Sequence, residues 1–142
     1  TGALASFQAR LEIAQRLAVQ DGGNTGWQRD LSVSHDRIGD VQRAQGDVTG
    51  ALASYQAGLE IAERLAAQDG GNAGWQAGLA VSHGRLGQVQ LAKGEPRQAL
   101  DLFRRGRDIV APLAEASGHV EWQGYLDSFD ADIARAEAAL AE

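Results

Sequence analysis

Cysteine is absent, so neither a disulfide framework nor a Cys-based metal site is open to this chain of 142 residues. Proline occurs only twice and aromatics make up 6%, while Ala and Leu are plentiful, a balance that favours helix. No apolar run approaches the ~18 residues of a membrane span, and no signal peptide opens the chain. The expectation is a soluble cytoplasmic protein with no membrane partner. An initiator Met is also missing, and the first residues already lie inside a repeat pattern, so the sequence reads as a fragment of a longer array. A basic stripe is lacking too. Residues 1–114 carry twelve acidic and twelve basic side chains, and the net charge of −6 arises from Glu115, Glu121, Asp127, Asp130, Asp132, Glu137 and Glu142 against Arg135 alone. That distribution argues against nucleic acid, which needs clustered Lys and Arg. It suits a solvated terminal helix.

What the chain does have is repetition. Thr1-Gly2-Ala3-Leu4-Ala5-Ser6 returns as Thr49-Gly50-Ala51-Leu52-Ala53-Ser54, and residues 1–48 match 49–96 at 33 of 48 positions. A drifted third copy follows: Ala99, Leu100, Phe103, Ile109 and Leu113 answer Ala51, Leu52, Tyr55, Ile61 and Leu65, and Trp122 answers Trp75 across a loop shorter by one residue. The repeat units are 1–48, 49–96 and 97–142, in one domain spanning 1–142. A period of this size marks a solenoid, in which each unit buries its apolar face by stacking on a neighbour.

Within a unit the spacing is helical throughout. Trp27, Leu31, Ser34, Ile38, Val41 and Ala44 recur at steps of three and four, as do Ala51, Leu52, Tyr55, Leu59, Ala62, Leu65 and Ala66. Asn24 or Thr25 caps the first of these helices and Gly46 stops it. Asp47 and Thr49 are capping residues for the next, and Asp69-Gly70-Gly71-Asn72 closes it. No segment alternates as a strand would. Six helices are predicted, at 2–20, 26–45, 49–68, 74–93, 97–115 and 120–141.

These residues resemble the tetratricopeptide repeat. Ile38-Gly39, Gly46-Asp47, Ala51, Tyr55 and Leu59 look like its large residue and Gly in helix A, its Gly-Asp turn, and its Ala and aromatic in helix B. The next copy offers Leu86-Gly87, Gly94-Glu95, Ala99 and Phe103. The departures are a period of 48 instead of 34, His35 and His83 at the family's Trp position, Trp27 and Trp75 twelve residues before the Gly, and no proline ending helix B. Fourteen extra residues shared by two helices amount to about two turns each, which keeps each apolar face in phase. The resemblance implies an all-α solenoid of antiparallel helix pairs wound as a right-handed superhelix.

Catalytic and metal chemistry find little support. Ser34-His35-Asp36 has triad residue types, but consecutive helical side chains point about 100° apart and cannot converge. The next copy, Ser82-His83-Gly84, lacks the acid. His35, His83 and Asp130 occupy equivalent positions, yet packed helices lie ~8–10 Å apart, too far for one metal ion. His119 falls in a loop. Gly22-Gly23-Asn24 and Gly70-Gly71-Asn72 lack the strand and Lys of a phosphate loop. The three Trp residues, all opening a helix in the same register, are expected as core anchors. No enzyme activity, metal or cofactor is expected.

The expected function is a protein-interaction scaffold that binds a peptide or partner segment. By the resemblance, helix A lines a concave groove, which places there Val33, Asp36, Asp40, Arg43 and Ala44, then Val81, Gly84, Gln88, Leu91 and Ala92, then Ser128, Ala131, Arg135 and Ala138. The alternative is a structural spacer or self-associating module, such as the sensor arm of a larger signalling protein. Head-to-tail association is a further expectation, with Leu126, Phe129, Ile133 and Leu140 of the last helix meeting Phe7 and Leu11 of the first helix of another copy.

Overall fold

The caps set where each helix starts and stops. In the computed structural model, which describes residues 2–21 and 23–142, Asn24 and Asn72 adopt extended backbone and accept hydrogen bonds from the amides of Trp27 and Trp75 at 3.1 and 3.0 Å. Each thereby satisfies an amide that has no partner within its helix. Thr1, which opens the repeat, and Gly22 lie outside the described residues. Gly46 and Gly94 take positive φ, 82° and 89°. Around them the Asp47 amide reaches the Gln42 carbonyl and the Glu95 amide the Gln90 carbonyl, at 2.8 and 2.9 Å. This turn satisfies the last carbonyls of a helix and requires a left-handed residue, hence glycine.

Six helices result, and no strand forms among the described residues. Residues Thr1–Gln68 and Asp69–Glu142 make two compact units. The first contains α1 (Gly2–Gln20), α2 (Thr25–Ala44) and α3 (Val48–Gln68); the second contains α4 (Ala73–Ala92), α5 (Pro96–Ser117) and α6 (Val120–Leu140). In each unit helices adjacent in sequence pack against each other, and α4 also touches α6. No helix is long and apolar enough to cross a membrane.

Several details differ from the sequence reading. Asp47 caps α3 through its carboxylate, which accepts from the Gly50 amide at 2.9 Å, whereas Thr49 already lies inside the helix. Helix α5 begins at Pro96, whose missing N–H costs nothing at a first helical position, and runs on to Ser117 before the left-handed Gly118. Trp27, Trp75 and Trp122 are half-buried, not enclosed. Trp122 packs on the edge of the second unit's core and stacks on His119, with ring centroids 4.8 Å apart.

The tightest packing lies where α2 crosses α3 and α4 crosses α5. A Cβ on Gly39 would stand 2.6 Å from Tyr55 Cε1, and one on Gly87 would stand 2.6 Å from Phe103 Cε1. Tyr55 and Phe103 are almost wholly enclosed, so neither ring has room to retreat. In the second unit Phe103 joins Ala80, Ala99, Leu100, Val110, Phe129 and Ala136 in one core.

Two opposing effects can be separated here. Gly to Ala inside a helix gains about 1 kcal/mol from propensity, but overpacking a filled core costs about 1–3 kcal/mol. Gly87→Ala is therefore expected to lower the unfolding free energy. Gly78→Ala, at a helical glycine with nothing within 4 Å of the methyl it would gain, is expected to raise it by about 1 kcal/mol. Urea denaturation of the two variants measures both signs.

Candidate partner-binding surface

The helix-A residues separate into those the fold uses and those it leaves open. On α2, Val33, Asp40, Arg43 and Ala44 are exposed. Asp40 accepts a hydrogen bond from the Tyr55 hydroxyl at 2.5 Å. Asp36, expected on the open face, is instead buried at 7% exposure. It lies against Gly58 of α3, where a Cβ would come within 2.5 Å of its Oδ1. The neighbouring Ser32 hydroxyl donates to the Gly58 carbonyl at 3.0 Å. On α4, Gly84 is buried, Val81, Gln88 and Leu91 are half-buried, and Ala92 is exposed. Leu91 packs against the core of its unit. On α6, Ser128, Ala131, Arg135 and Ala138 are all exposed.

Of these, Val81, Gly84, Gln88 and Ser128 come together. They line a groove of about 230 Å³ between α4 and α6, completed by Arg85, Tyr125, Phe129 and Asp132. Its floor is Phe129, whose ring rests on Gly84 and fills the space above Gly106. Its polar anchor is Asp132, only 4% exposed. The Asp132 carboxylate accepts from Gln88 Nε2 at 3.2 Å and from the Arg135 guanidinium one turn along α6. A buried charge held this way fixes the side chains that hold it. The Tyr125 hydroxyl donates to Glu121 at 2.6 Å, and that bond, with partial burial, raises its pKa.

Asp132, Arg85 and Tyr125 are absent from the helix-A residues read from sequence. The counterparts of Asp132 in the other copies are Arg37 and Arg85, so nothing in the repeat marks an acid there. The one usable signal is Gly84 standing where the first copy has Asp36, since a glycine on a packed helix leaves room for a large neighbour.

The histidines do not converge on a site. His83 is 7% exposed, and its Nδ1 has no hydrogen-bond partner among the described residues. His35 is half-buried. Burial lowers the pKa of both; at His83 Arg105 lowers it further and Asp101 partly offsets this. Asp130, at the equivalent position of α6, pairs with Arg107 at 2.6 Å. Among the described residues no three His, Asp or Glu side chains are placed to hold a metal ion. No protein-family model matches the chain, and no curated protein matches it in sequence.

The lowered histidine pKa has a pH consequence. Near and below the usual value of 6.5 the unfolded chain binds a proton that folded His83 refuses. Stability is then full above pH 6.5 and falls as the pH drops from there toward the folded pKa. Thermal melts between pH 7.5 and 5 are expected to show a falling Tm, with a shallower fall in His83→Gln.

Proposed function

We propose that this chain is a protein-interaction scaffold of the tetratricopeptide kind, and that the groove between α4 and α6 receives an extended segment of a partner protein. Two pairings support a solenoid reading. Helix A packs on helix B in α2–α3 and in α4–α5, and helix B packs on the following helix A in α1–α2 and in α5–α6.

The observation that carries the binding reading is the groove itself. Val81 and Phe129 supply apolar surface, and Gln88 is held by the buried Asp132 carboxylate, with Arg85 and Tyr125 beside it. Positioned polar groups around an apolar floor are what selective recognition of a peptide requires. The mixed charge, Arg85 and Arg135 beside Asp132, suits a peptide with polar backbone contacts and a small apolar anchor.

Selection from a random peptide library on the intact chain, followed by calorimetry, tests this. Selected peptides are expected to lose about tenfold or more in affinity with Val81→Glu or Gln88→Lys, with helicity by circular dichroism unchanged. No selectable peptide, or peptides indifferent to both substitutions, would leave the array as a structural spacer.

A further inference from the structure

Helix α4 carries two stripes of contact side by side. Ala80, His83 and Gly87, spaced by three and four, mark the face toward α5: the Ala80 carbonyl lies over Gly106, and Gly87 sits on Phe103. Val81, Gly84 and Gln88, each one residue further on, line the groove with α6. Both stripes belong to one helix, so whatever draws α4 off α5 also moves a wall of the groove.

His83 is the member of the α5 stripe that can gain a charge near neutral pH. It is 7% exposed, and its Nδ1 has no hydrogen-bond partner among the described residues. Facing it from α5 are Arg105 and Asp101, paired with each other at 3.1 Å and both more than half exposed. From α6 the titratable groups turned to α4 are Tyr125 and Asp132, which line the groove one stripe away with Arg85 of α4. Once charged, the imidazole carries an N–H on both nitrogens, and the Nδ1 donor finds no acceptor. Arg105 repels that charge more than Asp101 draws it. A buried charge without a hydrogen-bonded partner is costly, and the cost is relieved when α4 draws back and His83 meets water.

We propose that His83 is a proton-operated release for the α4–α6 groove: the groove holds its partner segment at neutral pH, and a proton taken up by His83 draws α4 back and frees the segment. This release presupposes the groove as the binding site. The opened form binds, near the usual value of 6.5, a proton that the closed form refuses. Affinity therefore falls as the pH drops below 6.5 and levels off beneath the lowered pKa of the closed form.

The probe is a peptide with blocked termini, selected on the intact chain at pH 7.5 from a library without Asp, Glu or His, and titrated by calorimetry between pH 7.5 and 5. Its affinity is expected to fall about tenfold or more over that range. In His83→Gln the fall is expected to disappear. In Arg105→Gln, at an exposed position outside the groove, the fall is expected to become shallower, with affinity at pH 7.5 unchanged. His35→Gln, on α2, is expected to leave the profile as it is. Helicity by circular dichroism is expected to hold throughout. A flat affinity in the unaltered chain overturns the release and leaves the groove reading standing. A fall that persists in His83→Gln, or one that runs parallel to a loss of helicity, also overturns it. No peptide selected at pH 7.5 removes the groove reading and the release together.

Discussion

Everything in this array rests on a glycine of helix A pressed against an aromatic ring of helix B. At Gly39 on Tyr55 and at Gly87 on Phe103 the backbone of one helix lies where a side chain would otherwise stand. That contact sets the distance between the helices, and the rest of the unit is packed to suit it. It also couples two sequence differences between the copies. Tyr55 carries a hydroxyl that needs a partner when its ring is enclosed, and Asp40 supplies one. Phe103 makes no such demand, and at the position of Asp40 the second copy has Gln88, which bonds Asp132 of α6 instead. The same position of helix A thus bonds within its own hairpin in one copy and to α6 in the other.

A second glycine leaves a gap that each copy treats differently. At Gly58 the gap is closed from within the hairpin by Asp36, with Ser32 bonding the same backbone. At Gly106 it is closed by Phe129 arriving from α6, which requires Ala80 and Gly84 where the first copy has Ser32 and Asp36. On α1 the position is Arg10, exposed. Large-for-small exchange between neighbouring helices lets related repeats present different surfaces.

Much of this was legible in the sequence because the repeat advertises it. Helix number and approximate ends followed from Asn24, Gly46, Asn72 and Gly94, whose chemistry is local. The resemblance placed Gly39 in helix A and Tyr55 in helix B, and the structure presses the two together. The candidate groove was only half visible. Gln88 and Val81 were named because the resemblance puts them on one face of helix A, but the burial of Asp36 was missed. Whether a carboxylate on a helix edge faces water or a glycine one helix away depends on residue 58, which periodicity does not connect to residue 36. Asp132 was missed for the same reason: its role depends on Gln88, 44 residues earlier. Local signals give elements, whereas sites are made by pairs distant in sequence.

The acid excess of α6 shows how far charge can be trusted in such a chain. In sequence it reads as a bare solvated face. In the structure Asp130 pairs with Arg107, Glu137 lies 3.8 Å from Arg104, Glu121 accepts from Tyr125 and Asp127 from Gln123. Exposed pairs of this kind contribute about 0–1 kcal/mol each and weaken with salt, so they do not hold the helix down. Burying a Phe side chain contributes about 1.5–3 kcal/mol, and Phe129 is 4% exposed between α4 and α5. Packing therefore seats α6, and its carboxylates are left to shape the surface around the groove. Only Asp132, buried beside Gln88 and Arg135, has its position fixed by the fold as firmly as the ring three residues before it.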